Sequence, residues 1–506
     1  MPDKQPPTDS HIVTRGAGMV FLGRMGALLE PISIIVFANL YGAPALGLFM
    51  LLWGYVQVSV AGTDMATSVA IQRFIPAAKD DETACAILKA SLLISLVLSL
   101  LLAAALSLAA PYLAQFINTD ARTDKYLSTI IAIYVWTIPV WCLVEVNTAA
   151  ARARRAFGPE VRIRIFYEQG LRLVAGVAFY FLGFPIFGLF IAHLLGVTLT
   201  AAASFRQVHR QYDLKKVWRA PLAKSGFAEL IRFGLPMMGT AMLKKFQSNF
   251  PAFLLNFIIP GAQGASAVAI YTVARKITSA LQGIRMSFEY VIAPIAASRN
   301  PLSERDALQD LYAFTTRLVC AIFIPAAALM VALRHDIIAV VGHEFAAAGA
   351  LVAVLTAGRM AEAFTGPSAS LIEMLAKYRL PLLNGLAGFA VIALLMIWLV
   401  PAYGAWGAAA ASACGMATTA IASVIEAKVI YDLLPYDRRL IQPLAVATLG
   451  AAVIAALVAI TYPLGMATRI AAGVAGLAVA YFILLRFGFH ERDAAAFGRL
   501  ARWVRN

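Results

Sequence analysis

The stretch AILKASLLISLVLSLLLAAALSLAA, residues 86–110, decides the fold of this chain. It holds one charged residue, Lys89, close to its start, and is otherwise built from apolar and small side chains. A run of about 20 such residues lets an α-helix cross the hydrocarbon core of a bilayer, where the backbone must satisfy its own hydrogen bonds. The stretch therefore predicts a membrane-spanning helix.

Similar runs recur along the whole chain. The sequence is 61% hydrophobic and only 14% charged, whereas soluble domains keep roughly a quarter of their residues charged. We expect an all-α membrane protein with about fourteen transmembrane helices. The predicted spans are 17–40, 46–72, 86–110, 127–149, 166–184, 186–204, 231–258, 266–295, 311–333, 347–372, 381–400, 404–427, 441–462 and 467–487.

Basic residues alternate between the two sides of the predicted spans. The connections that follow odd-numbered spans hold few of them: Arg122, Lys125, Arg334 and Arg469. The other connections are rich, as in ARARRAFGPEVRIR (151–164) and RQVHRQYDLKKVWRAPLAK (206–224). Since Lys and Arg accumulate on the cytoplasmic side, both termini are predicted to be cytoplasmic. The net charge of +15 then reflects membrane orientation, and no nucleic-acid partner is expected.

Two pairs of short motifs recur at nearly one offset. Asn39 before Gly42 matches Asn256 before Gly261, and the motif at 185–190 matches the one at 401–406. Because six spans separate the copies, they predict two six-helix lobes in a parallel repeat. The expected organisation is a cytoplasmic tail, a first lobe, a basic cytoplasmic linker, a second lobe, two additional helices and a second cytoplasmic tail. Their bounds are 1–16, 17–204, 205–230, 231–430, 441–487 and 488–506.

Cysteine and histidine patterns indicate no metal or cofactor site. Cys85, Cys142, Cys320 and Cys414 are far apart, and the six histidines are isolated. No Gly-rich phosphate-binding loop with a lysine is present, and the predicted outer loops are short. We therefore expect a transporter without a cofactor or metal rather than an enzyme.

Ionisable residues inside the spans are the main functional signal, because each costs several kcal/mol unless it faces water or a partner. Arg24 and Glu30 lie in span 1, and Asp64 lies in span 2 at a depth where Arg24 can meet it. Either the two form a structural ion pair, or they line a cavity. We predict Asp64 and Glu30 as candidates for coupling to a proton or Na⁺.

Spans 7 and 8 carry the other candidates. Span 7 holds Lys244 and Lys245, and span 8 has a polar stripe at helical spacing. In a membrane helix such a face is expected to line a cavity. The residues of span 8 predicted to act there are Arg275, Gln282, Arg285 and, as a third coupling candidate, Glu289. Because arginine suits phosphate and carboxylate groups, this cavity would prefer an anionic ligand.

Two further charged pairs are expected to be structural. Glu168 with Arg172 and Arg359 with Glu362 stand at helical spacing, so each pair can satisfy itself. Glu168 also has the alternative of reaching the inner surface. Arg317 is expected to reach polar surroundings near that surface.

The ordered set of motifs resembles the polysaccharide transporter family of the multidrug/oligosaccharidyl-lipid/polysaccharide flippase superfamily. The resemblance covers about residues 12–430 and is carried by five segments. They are GMVFLGRMGALLEPISIIVFANLYGAPALGLFMLL (18–52), ELIRFGLPMMGTAML (229–243), AIYTVARKITSALQGIRMSFEYVIAPIAA (269–297), GHEFAAAGALVAVL (342–355) and VPAYGAWGAAAAS (400–412).

This resemblance implies a bacterial inner-membrane flippase that works by alternating access. Its substrate would be an undecaprenyl-pyrophosphate-linked oligosaccharide of exopolysaccharide or O-antigen synthesis. Arg275 and Arg24 match cavity arginines that are thought to engage the pyrophosphate in related lipid II flippases, whereas Glu30 stands near where those proteins have a further arginine. That departure argues against lipid II as the substrate. Expected partners are the lipid-linked oligosaccharide, membrane lipids and, as candidates, a polysaccharide polymerase or glycosyltransferases.

Two alternatives stay open at this point. A drug or organic-cation antiporter of the same superfamily would have carboxylates dominating its cavity. A membrane enzyme that polymerises sugar repeats would need large outer loops, which the sequence lacks.

Overall fold

Helices form because the chain places long apolar runs between short turns and leaves no alternating pattern that would favour strands. The computed structural model describes residues 29–154, 167–299, 303–375, 379–490 and 493, and within these residues every regular element is helical. In this described part of the chain, eight helices are long and apolar enough to cross a membrane. The predicted fold class, an all-α membrane protein, is confirmed.

Two of those eight helices each overlap two predicted spans. The helix Glu30–Thr63 passes through Gly42, whose φ is 78°, and the helix Leu380–Tyr431 passes through Gly404, whose φ is 53°. Glycine tolerates such left-handed backbone because it lacks a Cβ. The remaining predicted spans, 5, 7, 8 and 10, fall on helices that are shorter or carry more charges, so the count of fourteen stays a prediction.

The described chain divides into two units, with the boundary between Thr272 and Val273. Helices of six or more residues in the first unit are labelled in chain order. They are α1 (Leu29–Thr63), α2 (Thr67–Phe74), α3 (Asp81–Leu108), α4 (Leu127–Tyr134), α5 (Thr137–Ala153), α6 (Glu168–Phe181), α7 (Gly188–His209), α8 (Leu214–Arg219), α9 (Phe227–Ile258) and the start of α10 (Gly261–Ala297).

Among its described residues, the second unit contains the rest of α10 and seven further helices of six or more residues. They are α11 (Arg305–Ala332), α12 (Arg334–Val341), α13 (Ala348–Phe364), α14 (Ser368–Leu375), α15 (Arg379–Tyr431), α16 (Ile441–Ile460) and α17 (Met466–Phe487). This division does not test the predicted lobe boundaries, which stay predictions.

In the first unit, α9 packs along α1 through small residues. A Cβ added to Gly62 would lie 3.0 Å from Met242 Sδ, and one added to Gly54 would lie 2.9 Å from the Phe253 ring. Tyr55 stacks on the same Phe253 ring at 4.2 Å. Small residues let helices approach closely, which is a common way to associate membrane helices.

The far end of α9 is held by a reciprocal pair of asparagines. Asn118 donates from its backbone N–H to Asn256 Oδ1 at 3.0 Å, and Asn256 Nδ2 donates to the Asn118 carbonyl at 2.8 Å. Asn118 Oδ1 also accepts the Gly261 N–H at 3.1 Å. Asn256, which belongs to one of the repeated motifs, therefore fixes the turn between α9 and α10 to the connection after α3.

The basic linker predicted at 205–230 is attached to the first unit. Lys89 Nζ donates to the carbonyls of Trp218 at 2.8 Å and Ala220 at 3.0 Å. Lys224 pairs with Glu82 at 2.7 Å. These contacts hold the linker against the start of α3.

In the second unit, α16 and α17 are held to α11 and α12 at both ends. Arg469 at the start of α17 donates from Nε to Asp336 of α12 at 3.0 Å. At the other end, Arg317 is only 3% exposed and pairs with Asp437 and with Asp493, the latter at 2.7 Å. Arg317 therefore lies in polar surroundings, as predicted, although these are supplied by two aspartates rather than by the membrane surface.

Candidate functional site

A break in the helical backbone separates α1 from α2. Met65 and Ala66 have φ values of 48° and 54°, which side-chain-bearing residues rarely adopt. Gly234 of α9 lies directly against the break, since a Cβ there would come within 2.3 Å of the Met65 carbonyl oxygen. This packing fixes the break in place.

Asp64, a predicted cavity and coupling residue, lies at this break and is 7% exposed. Its carboxylate accepts hydrogen bonds from Thr67 Oγ1 at 2.8 Å and Ser68 Oγ at 2.7 Å. Ser95 of α3 adds a longer contact of 3.4 Å. Among the residues that the structure describes, no lysine or arginine pairs with it. Arg24 lies outside the described residues, so its predicted contact with Asp64 stays a prediction.

The two predicted lysines lie on α9 and are exposed. Lys245 Nζ lies 3.4 Å from Gln57 Oε1 of α1. Asn249, one turn further along α9, is buried and donates to the Lys245 carbonyl at 2.9 Å. Glu30 lies in the first turn of α1 and is half-buried.

On α10, the side chains of the predicted polar stripe differ in solvent exposure. Arg275 and Gln282 are half-buried. Ser279 and Met286, which helical spacing places on the same stripe, are exposed. A helix buried only on its other faces would leave such a stripe open to water or to a ligand. The structure places these residues on the second unit and leaves their role as a cavity lining a prediction.

Arg285 and Glu289 belong to a cluster that joins α10 to α13. Arg285 donates to Glu289 at 2.6 Å and lies 3.7 Å from Glu362. Arg359 completes the cluster with a 2.8 Å bond to Glu362, which is the pair predicted from spacing. Their side chains are 12–16% exposed. Two guanidinium groups and two carboxylates balance, so Arg285 and Glu289 are already engaged with protein groups.

A second buried cluster in the first unit includes a histidine. Arg172 lies 3.2 Å from Glu168 on α6, which confirms the predicted pairing of the two. Glu168 is buried at 3% exposure, so it does not reach the surface. His193 of α7 is fully buried, 3.5 Å from Glu168 and 2.7 Å from the Tyr134 hydroxyl. His193 is isolated in the sequence, and its partners in the structure come from other helices, Glu168 from α6 and Tyr134 from α4.

A cavity of about 470 Å³ opens where α2 ends and α3 begins. Its charged lining residues are Lys79, Asp80, Asp81 and Arg154. Asp81 pairs with Arg154, and Asp80 caps α3 by accepting the Thr83 N–H at 2.6 Å. No predicted site residue lines this cavity, and its carboxylates make it a poor site for a pyrophosphate.

Three buried hydroxyl residues, two serines of α3 and one threonine of α5, were not predicted from the sequence as site residues. Ser91 and Ser95 are buried and lie one helical turn apart, and Thr137 is fully buried. The spacing of Ser91, Ser95 and Ser99 at intervals of four was the available signal, because it places three hydroxyls on one helix face. In the described part of the chain, Ser91 Oγ and Thr137 Oγ1 have no hydrogen-bond partner.

Comparisons with known proteins agree with this architecture. A family model described as "Polysaccharide biosynthesis protein" matches residues 58–348. No curated protein matches the chain. Among solved structures, the lipid II flippase MurJ in an inward closed conformation aligns with a TM-score of 0.71 at 12% identity, covering 93% of this chain and 98% of that one.

Two other solved structures show the same fold at lower similarity. An inward-facing multidrug resistance MATE family transporter of the MOP superfamily aligns with a TM-score of 0.61 at 17% identity, covering 84% of this chain and 98% of that one. A MOP superfamily transporter from Pyrococcus furiosus, described as having a binding pocket of reverse polarity, aligns with a TM-score of 0.55 at 16% identity. The alignment covers 85% of this chain and 99% of that one. At these identities the likeness establishes the fold, which is a multi-pass transporter fold.

Proposed function

The chain belongs to the family of polysaccharide biosynthesis proteins, whose model matches more than half of it, and from this membership we propose that it is a lipid-linked oligosaccharide flippase. It moves an undecaprenyl-pyrophosphate-linked repeat unit, destined for exopolysaccharide or O-antigen, from the inner to the outer leaflet. It acts in the bacterial cytoplasmic membrane with both termini in the cytoplasm. The observation that carries the proposal is the combination of this family with a flippase-type transporter fold.

The charges of α9 and α10 support an anionic substrate. Lys244 and Lys245 are exposed on a helix that lies among apolar membrane helices, and Arg275 is half-buried on the next helix. Ammonium and guanidinium groups bind phosphate oxygens through charge-assisted hydrogen bonds. In this proposal these side chains, together with Arg24, receive the pyrophosphate while the polyprenyl tail stays in the lipid.

Transport proceeds by alternating access of the two predicted lobes. The substrate binds one arrangement of the lobes from the inner leaflet and is released from the other toward the outer leaflet. An inside-negative potential favours outward movement of an anion by about 2.3 kcal/mol per charge per 100 mV. Asp64, Glu30 and Glu289 are the candidate ion-coupling groups, and Glu289 is the weakest because Arg285 already balances its charge.

A drug or organic-cation antiporter is the second candidate function, because MATE transporters share the fold. That function needs carboxylates available to a cationic ligand. In the second unit, Glu289 and Glu362 are both engaged by arginines. The first-unit carboxylates of the predicted site are less accessible than its lysines, since Asp64 is 7% exposed and Glu30 is half-buried. Lys244 and Lys245 are exposed, and this difference favours the flippase.

Deletion of the gene followed by complementation tests the proposed function. The deletion strain should accumulate the lipid-linked repeat unit on the inner leaflet, identified by mass spectrometry, and should lose surface polymer. At matched expression, Arg275→Ala and the double variant Lys244→Ala/Lys245→Ala should restore little polymer. Arg210→Ala is the matched control, because Arg210 is an exposed arginine that caps α7, and it should restore polymer fully.

Normal polymer output from both cavity variants would overturn the cationic site. Normal lipid-linked intermediates in the deletion strain would overturn the flippase itself. Increased sensitivity of the deletion strain to cationic drugs, with normal polymer, would favour the antiporter.

A further inference from the structure

Four oxygen atoms lie close together at the break between α1 and α2. They are Asp64 Oδ1, the Asp64 backbone carbonyl oxygen, Thr67 Oγ1 and Ser95 Oγ. Thr67 Oγ1 lies 2.8 Å from Asp64 Oδ1 and 2.7 Å from Ser95 Oγ. Ser95 Oγ lies 3.4 Å from both Asp64 oxygens. The break, α2 and α3 thus each contribute oxygen atoms to this position.

The charge at this position is not balanced by the described residues. The Asp64 carboxylate is 7% exposed, and its hydrogen-bond donors are the neutral hydroxyls of Thr67, Ser68 and Ser95. Glu145 of α5 interacts electrostatically with Asp64 and adds negative potential. Burying a carboxylate without a counter-charge is costly, so such a group takes up a proton or a cation.

The donor set selects the kind of cation. All four atoms are oxygens, which suit hard cations rather than transition metals. Asp64 also follows the C-terminal end of α1, where the helix dipole is negative. In membrane transporters, half-helix C-terminal ends and unwound carbonyls coordinate Na⁺ or protons. A single carboxylate neutralises one positive charge, which favours a monovalent ion over Ca²⁺ or Mg²⁺.

The backbone is shaped for this position. Two consecutive residues, Met65 and Ala66, adopt left-handed φ values, and such strain of about 1–3 kcal/mol per residue persists only where the surroundings enforce it. The break turns the Asp64 carbonyl toward Ser95 and brings Thr67 back against the Asp64 side chain. That carbonyl also accepts the Thr67 N–H at 2.8 Å, so Thr67 contacts Asp64 through both its backbone and its side chain.

We propose that this break binds one Na⁺ ion, coordinated by Asp64, Thr67 and Ser95. Binding neutralises Asp64 and holds α3 against the end of α1. The inference deepens the proposed function by naming its coupling ion, and the coupling role rests on that function, whereas ion binding itself does not. Experiments on the purified protein therefore separate the two.

The test is thermal melting of the full-length protein in detergent, at constant pH and ionic strength, with NaCl exchanged for KCl or choline chloride. Na⁺ should raise the melting temperature in a saturable way, and K⁺ and choline should not. Ser95→Ala and Thr67→Ala should each weaken the apparent Na⁺ affinity by about tenfold or more. Asp64→Asn should abolish the response.

Ser91→Ala is the matched control, since Ser91 lies one turn from Ser95 on the same buried face and Ser91 Oγ has no partner among the described residues. It should respond to Na⁺ like the wild type. Arg24→Gln should also respond like the wild type. A wild type that ignores Na⁺, a Ser95→Ala variant with wild-type affinity, or a Na⁺ response that appears only after Arg24→Gln would overturn the proposal. If Asp64→Asn does not fold, the Ser95 and Thr67 variants decide the matter.

If the protein does not bind Na⁺, the proposed flippase function still stands, because flipping is measured separately in cells and in vesicles. A protein that binds Na⁺ as described but restores no polymer would instead overturn the proposed function and leave the ion site standing.

Discussion

At the break after α1, one carboxylate, Asp64, is surrounded by hydroxyl groups, whereas Glu362 in the second unit lies between the guanidinium groups of Arg285 and Arg359. Both carboxylates are largely buried. Asp64 lacks a counter-charge in the described chain. Glu362 belongs to a cluster in which two arginines balance the charge of two glutamates. The difference indicates that the second cluster stabilises the fold, while the first is suited to receive a charge from outside.

The largest effect is expected from Glu362→Gln. The change leaves the cluster with two guanidinium groups and one carboxylate, and removing one partner of a buried pair destabilises by up to about 3–5 kcal/mol. With side chains 12–16% exposed, we expect a loss near the lower end, measured as the free energy of unfolding in a detergent titration. The double variant Glu362→Gln/Arg359→Gln restores charge balance and should recover part of the loss.

Glu344→Gln serves as the control for that experiment, because Glu344 is an exposed glutamate of the same unit. It should change stability little. Equal losses from Glu344→Gln and Glu362→Gln would contradict the view that the cluster stabilises the second unit.

A smaller effect is expected from Gly234→Ala, which tests the support of the break. A Cβ at this position would lie 2.3 Å from the Met65 carbonyl oxygen, so α9 must move away from the break. Overpacking of this kind costs about 1–3 kcal/mol, and the melting temperature should fall. Gly239→Ala is the matched control on the same helix, since a Cβ there meets nothing within 4 Å, and it should leave stability unchanged or raise it slightly.

A still smaller difference should separate two serines on one face of α3. Ser95→Ala removes hydrogen bonds at Asp64 and should destabilise by about 1 kcal/mol. Ser91→Ala removes a buried hydroxyl that has no partner in the described chain, so stability should stay the same or rise. The two unfolding free energies, measured without Na⁺, check this order, and a reversed order would contradict the geometry at Asp64.

The smallest effect concerns an exposed ion pair outside the predicted spans, which extends the comparison to the surface. The hydrogen bond from Lys428 and the charge of Arg305 hold the pKa of Asp432 below its usual range. Because the folded-state pKa is depressed, the stabilisation is present above the ordinary aspartate pKa and is lost as the pH falls below about 4. Asp432→Asn should flatten this part of the stability profile slightly, as shown by melting temperatures measured between neutral and acidic pH. A steeper acid loss in the variant would contradict the assignment.

Local spacing predicted some of these groups, and tertiary contacts supplied the rest. The pairs Glu168–Arg172 and Arg359–Glu362 followed from helical periodicity, because both partners lie on one helix face. The helical fold followed in the same way from long apolar runs such as 86–110.

Contacts between distant helices could not be derived from spacing. Ser95 meets Asp64 across 31 positions of sequence, and His193 meets Tyr134 across 59. Arg285 reaches Glu362 from two spans away. Helix faces can be assigned from one sequence, but which faces meet depends on packing. The predicted roles of Glu30, Lys244, Lys245, Arg275 and Gln282 stay predictions for this reason, and Arg24 lies outside the described residues.

The most direct test of the account is flipping by the purified protein in liposomes that contain an undecaprenyl-pyrophosphate-linked oligosaccharide. The sugar exposed on the outer surface is titrated with a lectin that cannot cross the bilayer. The account predicts that lectin-accessible sugar changes with time in vesicles with the wild type, and much more slowly with Arg275→Ala. An accessible fraction that stays equal to that of protein-free vesicles, with correctly folded protein present, would contradict it.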